Sequence, residues 1–169
     1  MAGLKGKTGI VTGGSSGIGF QIANVLAQAG ATVYVISRTG KPKEGVGESA
    51  PGVVHLQGDI GNAEAMKTLV AELAAKHNDC LNFLVNNAGV SYKCRAEDFP
   101  MEQFDNIMNV NVNAVEMPSH PCFKRIVTTL KISFHLTESI KYRIWFGCVN
   151  HATAWFTTVQ YRLSLMQRR

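Results

Sequence analysis

Apolar residues along the first two thirds of the chain recur with two different periods. Lys7–Thr12 (KTGIVT), Thr32–Ser37 (TVYVIS), Val53–Gln57 (VVHLQ) and Leu81–Val85 (LNFLV) are short apolar runs, the second rich in β-branched and aromatic residues, and they predict four strands. Between them the period lengthens. Ile18, Ile22, Val25 and Leu26 recur at helical spacing until Gly30 stops the helix. Ala63, Met66, Leu69, Val70 and Leu73 share one face of Asn62–His77. A loop rich in Gly, Pro and Lys occupies Gly40–Gly52, and Pro100–Val115 reads as one more helix. Strands separated by helices of this length predict βαβ units, a parallel sheet and helices over both faces: a doubly wound α/β fold. The predicted order 3-2-1-4 leaves the fourth strand at an edge. Either a later segment such as Arg125–Leu130 (RIVTTL) fills that place, or the chain is marginal or associates.

The last helix carries an odd residue. Phe104, Ile107 and Met108 form its apolar stripe, and Asn111 falls on the same stripe seven positions after Phe104. A buried amide left unpaired costs about 1–3 kcal/mol, so Asn111 either caps a neighbouring backbone or faces a site.

Composition fits one folded soluble domain: 169 residues, 46% hydrophobic and 17% charged. No apolar run approaches the ~18 residues that span a bilayer, and the N-terminus lacks a signal-like stretch, so neither membrane nor secretion is expected. Cys80, Cys94, Cys122 and Cys148 form no C-x-x-C pair, which fits free thiols in the cytoplasm. The net charge of +5 hides a break. Residues 1–117 carry 9 Lys and Arg against 11 Asp and Glu; residues 118–169 carry 8 against Glu138 alone. Fifteen of the 16 glycines precede position 118, so the two parts are read separately.

Chemistry enters at Thr12-Gly13-Gly14-Ser15-Ser16-Gly17-Ile18-Gly19, between a predicted strand and a predicted helix. A glycine-rich turn there lets backbone pass close to a pyrophosphate, and the helix start offers free N–H groups and partial positive charge. A Walker A loop is no rival: Gly6-Lys7-Thr8 has the ending, but Met1 stands where the first glycine should be. Arg38 ends the second strand, nineteen residues beyond Gly19. An arginine at that place accommodates the 2′-phosphate of NADP, where a carboxylate would favour NAD. The bland alternative is a solvated loop arginine beside Lys41 and Lys43.

These residues resemble the short-chain dehydrogenase/reductase family over about residues 4–115. Thr12, Gly13, Gly17 and Gly19 have the spacing of its cofactor signature, which assigns Gly13, Ser15, Ser16, Gly17, Ile18 and Gly19 to the cofactor. Asp59-Ile60 resembles its adenine-contacting pair, and Asn86-Asn87-Ala88-Gly89 matches its N-N-A-G motif, adding Asn87, Ala88 and Gly89. Met108–Val112 resembles the segment of its active-site asparagine, which falls on Asn111. The resemblance implies a Rossmann-type doubly wound parallel sheet, truncated after the fifth helix and followed by an atypical basic tail. It implies a dinucleotide-binding domain at 1–117 with NADP(H) preferred over NAD(H), a small-molecule carbonyl or alcohol as hydride partner, and possible homo-oligomers. It further implies a serine, a tyrosine acid/base and a lysine that lowers the tyrosine pKa.

Those last residues have no match. Tyr142 is followed four positions on by Phe146, and Tyr161 by Leu165, so no Y-x-x-x-K occurs. Ser139 lies at a plausible distance from Asn111, but neither tyrosine nor lysine appears around Ala152–Phe156. Loss of proton transfer removes a term worth roughly 10²–10⁴ in rate. Three readings follow: an impaired reductase, a catalytically silent NADP-binding module or frame-altered product joined near residue 117, and a protein interacting through its basic tail. Nucleic acid is not expected. The Cys148-x-x-His151 and His120/Cys122 spacings lack a second pair, so no metal is expected. Tyr142–Val149 (YRIWFGCV) and Trp155–Tyr161 (WFTTVQY) are strand-prone and, unless packed, aggregation hazards.

Overall fold

The computed structural model describes residues 3–114 and, as backbone, the strands at 126–132, 143–148 and 155–160. In chain order the elements are β1 (Thr8–Thr12), α1 (Gly17–Gln28), β2 (Thr32–Ser37), β3 (Val53–Gln57), α2 (Ala63–Ala75), β4 (Phe83–Asn86) and α3 (Met101–Asn111), then β5 (Ile126–Ile132), β6 (Arg143–Cys148) and β7 (Trp155–Gln160). They build one sheet in the order β3-β2-β1-β4-β5-β6-β7. The first five strands run parallel, while β6 and β7 are antiparallel additions.

Strand alternation sorts the core into two layers. Ile10 of β1, Ile36 of β2 and Leu84 of β4 point to one face, where Met66, Val70 and Leu73 of α2 close over them. Their neighbours Val11, Val35 and Val85 point to the other face, with Ala23 and Ala27 of α1. Every residue of β1 is buried, as expected for a central parallel strand covered on both sides.

The contact face of α1 differs from its bulkiest stripe. The residues it buries are Gly19, Phe20, Ala23, Asn24 and Ala27, whereas Ile18 and Val25 remain 52% and 56% exposed. Small residues let the helix axis come close to the sheet. Ile18 and Val25, with the half-buried Ile22 and Leu26 that flank the core, line an outer groove with Val46. That groove is open because the β2–β3 crossover, residues 38–52, contains no helix to lie beside α1.

The edge left by β4 is filled. Leu84, Val85 and Asn86 pair in parallel with Ile126, Val127 and Thr128 of β5, within the RIVTTL stretch and its continuation. The sheet therefore runs on across the compositional break at 117. No helix among the described residues is long and apolar enough to cross a membrane.

Two positions give measurable consequences. A Cβ on Gly19 would overlap the Asn87 amide nitrogen and stand 2.6 Å from the Gly13 carbonyl oxygen, with helix and loop backbone unable to retreat. Gly17 has open space around it, but its φ of +60° disfavours any side chain. Gly17→Ala should cost about 1–2 kcal/mol, and Gly19→Ala more, about 2–3 kcal/mol from overpacking, both read from urea unfolding midpoints.

His55 on β3 bonds Ser49 Oγ through Nε2 at 2.8 Å, and its Nδ1 is buried with no partner among the described residues. Burial lowers its pKa from the ordinary 6.5. The unfolded chain thus takes up this proton first, so the contribution is intact above about pH 6.5 and lost as pH falls through the lowered folded value. Unfolding curves at falling pH should show a loss of stability in that window that His55→Gln reduces.

Candidate functional site

The carboxyl ends of β1, β2, β3 and β4 bring the sequence-predicted residues to one end of the sheet. The order 3-2-1-4 reverses direction between β1 and β4, and a crevice forms outside the strands at such a reversal.

Thr12, the last residue of β1, sets the floor. Its Oγ1 accepts the backbone N–H of both Asn87 and Ala88 at 3.0 Å and donates to the Val85 carbonyl at 3.5 Å. Asn87 answers with its own amide, which donates to the carbonyls of Thr12 (3.0 Å) and Gly13 (3.2 Å). Gly13 N–H reaches across to the Ile36 carbonyl at 2.9 Å. The φ of Gly13 is +67°, and a Cβ there would stand 2.6 Å from Ala88 Cα, so only glycine fits between the two loops. Asn87 Oδ1 is buried with no hydrogen-bond partner among the described residues.

Above this floor α1 begins without protection of its own. Ser16, its N-cap, makes no side-chain capping bond, and no acidic residue lies in the first turn. The first helical bond is Phe20 N to Ser16 O at 3.4 Å, so the N–H groups of Gly17, Ile18 and Gly19 precede the ladder. The start of α2 is the opposite case: Asn62 Oδ1 accepts Ala65 N–H at 3.1 Å and Glu64 sits in the first turn. Bare donors, partial positive charge and an open approach at Gly17 make α1 the end suited to an anion.

The remaining predicted residues surround that end. Arg38 is exposed at the end of β2, and its carbonyl accepts Gln57 Nε2 at 3.1 Å. Asp59 is exposed and holds the turn into α2 by accepting Gly61 N–H at 2.9 Å. Ile60 packs partly buried against the α2 core. Asn111 is 4% exposed, and its amide clamps one residue from both sides: Oδ1 accepts Val90 N–H (2.8 Å) and Nδ2 donates to Val90 O (2.9 Å). Of the two possibilities left open by its place on the α3 stripe, the structure places these bonds on the neighbouring backbone, just beyond Gly89.

Three participants have no assignment in the sequence reading. The hydroxyl of Thr12 had a visible signal, a threonine closing a strand at the glycine motif. Asn109 Nδ2, which donates to the Gly61 carbonyl at 3.4 Å, and Lys43, whose N–H donates to the Ser15 carbonyl at 2.8 Å, had none. A backbone bond leaves no mark in residue type. Ser139, Tyr161, His120, Cys122 and His151 lie outside the described residues, as does Tyr142. Among the described residues no three His, Cys, Asp or Glu side chains gather as a metal site.

Comparison with known proteins agrees with this arrangement. A family model described as short chain dehydrogenase matches residues 7–129, past the compositional break. The chain is 40% identical over 120 residues to 2-dehydro-3-deoxy-D-gluconate 5-dehydrogenase of Bacillus subtilis, covering 66% of this chain and 44% of that protein. It is 37% identical over 115 residues to D-beta-hydroxybutyrate dehydrogenase of Rhizobium meliloti, covering 64% and 44%. Among solved structures, 3-ketoacyl-(acyl-carrier-protein) reductase from Brucella melitensis complexed with NADH superposes with a TM-score of 0.61 at 33% identity, over 68% of this chain and 48% of that one. The chain thus spans a little under half the length of the curated relatives it matches. The matched span takes in both the glycine turn and the N-N-A-G loop, and the chain belongs to the short chain dehydrogenase family.

Proposed function

We propose that residues 1–117 form a dinucleotide site that prefers NADP(H) over NAD(H). The observation that carries this reading is the uncapped start of α1 over the Thr12–Asn87 floor, with Arg38 at the neighbouring strand end. In this reading Gly13, Ser15, Ser16, Gly17, Ile18 and Gly19 hold the pyrophosphate, and Arg38 meets the 2′-phosphate. Asp59 and Ile60 flank the adenine, and Asn87, Ala88 and Gly89 line the nicotinamide side. The bound dinucleotide would supply a hydride acceptor or donor for a small carbonyl or alcohol. A relative complexed with NADH supports dinucleotide binding as such, and the arginine supports the phosphorylated form.

Asn111 contributes as a positioning residue. Its two bonds fix Val90, which keeps the Ala88–Gly89 backbone where the dinucleotide would pass. The acid/base half of the family chemistry has no counterpart in the sequence, since neither Tyr142 nor Tyr161 is followed by a lysine four positions on. The chain then binds and orients far better than it turns over.

Calorimetric titration of the full chain should show saturable NADPH binding about tenfold or more tighter than NADH, the worth of a hydrogen bond between charged groups. Arg38→Gln should erase that preference; equal affinity of the unaltered chain for both nucleotides would overturn the NADP reading. Turnover gives a separate check. NADPH oxidation with a panel of small aldehydes and ketones should stay roughly 10²–10⁴ below that of a relative with an intact acid/base. A rate matching such a relative would show that another residue of this chain moves the proton.

A further inference from the structure

The β2–β3 crossover is unusual in what it lacks. Parallel strands are generally joined through a helix, yet residues 38–52 contain none. The segment is held by a series of short-range bonds instead. Gly40 N–H donates to the Ser37 carbonyl at 3.2 Å, Thr39 Oγ1 donates to the Lys41 carbonyl at 3.0 Å, and Ser37 Oγ lies 3.4 Å from Thr39 Oγ1. The strap then closes on the glycine turn itself, where Lys43 N–H donates to the Ser15 carbonyl at 2.8 Å. Asn24 secures the far end, its Oδ1 accepting Ala50 N–H at 2.8 Å.

Charge along this strap is one-sided. Between positions 38 and 46 stand Arg38, Lys41 and Lys43 against Glu44, all four exposed. Among the described residues the ion pairs are Lys67–Glu64 and Arg95–Glu97, so none of the three cations is neutralised by a carboxylate there. Lys43 differs from the other two because its own backbone is bonded to the turn, which leashes its ammonium within one side-chain length of Ser15.

We infer that Lys43 is a second specificity-determining residue for the 2′-phosphate, brought back to the glycine turn by the helix-free strap that starts at Arg38. The inference rests on the NADP reading given above. A phosphate monoester carries about −1.5 to −2 near neutral pH, more than one guanidinium balances. The pyrophosphate already has the N–H groups at the start of α1, and the strap begins at the strand end that faces the ribose and returns to the turn at Lys43. An arginine fork and a mobile ammonium are complementary partners for such a group.

The test is titration of the full chain and of Lys43→Gln with NADPH and with NADH at low salt. Glutamine keeps the backbone N–H, so the strap to Ser15 survives and NADH binding reports an intact fold. NADPH should bind Lys43→Gln about tenfold more weakly, with NADH unchanged and the NADPH salt dependence shallower. Lys43→Arg should retain the preference. Unchanged NADPH affinity in Lys43→Gln overturns the inference while leaving Arg38 and the NADP reading intact. An equal loss for both nucleotides also overturns it, since Lys43 would then support only the turn. A chain that never prefers NADPH removes both, and Arg38→Gln tells that case apart.

Discussion

Thr12 Oγ1 receives two backbone N–H groups from the β4 loop while the Asn87 amide returns two bonds to the β1 turn. This exchange is the constraint on which the rest of the site depends. Adjacent parallel strands share a ladder only as far as their last paired residues, here Val11 and Val85. Beyond that point nothing in the sheet holds the two loops together. The four side-chain bonds replace the ladder, and they do so at the place where the connections diverge to opposite faces. Because the pair is buried, each bond is made in a medium where its loss leaves an unsatisfied polar group. Glycine at 13 and 19 follows from the same closeness: the loops approach until no Cβ fits.

Much of this could be read from residue order alone. Ile10, Ile36 and Leu84 against Val11, Val35 and Val85 is a period-two signal strong enough to give both sheet faces and the helices covering them. The glycine motif, Arg38, Asp59 and the N-N-A-G loop each follow a strand, and a parallel sheet must collect them at one end. The contact face of α1 was less legible. Periodicity marks Ile18, Ile22, Val25 and Leu26, but Gly19, Phe20, Ala23 and Ala27 form the buried contact, Ile22 and Leu26 flank it half-buried, and Ile18 and Val25 are left outside. The strap from Ser37 to Lys43 was invisible for another reason. Its decisive bond is between backbone groups, and any residue except proline could make it.

Asn111 shows how one side chain can hold a backbone residue from both sides. An asparagine amide offers one donor side and one acceptor side, matching the N–H and the C=O of a single residue. Val90 presents such a pair, and both of its groups are engaged. The helix that carries Asn111 is also tied to the β3–α2 turn through Asn109 and Gly61. Two asparagines two positions apart on α3 thus brace loops from β4 and β3 at once. Placement of the crevice wall is then a property of α3 as a rigid body, and not of either loop alone.

The bonds that shape the crevice also gather in one stretch of the chain. Among the described residues, the bonds of the glycine turn, the Thr12–Asn87 floor and the Val90 clamp are made before position 115. The layers beneath them hold Ile10 with Met66 and Val11 with Ala23 in that span. What lies after it contributes β5 to the exposed edge of β4, and hence shelter for the sheet. On the proposed reading, dinucleotide affinity draws on that earlier stretch of chain. The chain beyond residue 117, basic and nearly without glycine, adds a strand to the edge of the sheet and leaves the holding bonds of the described residues as they are.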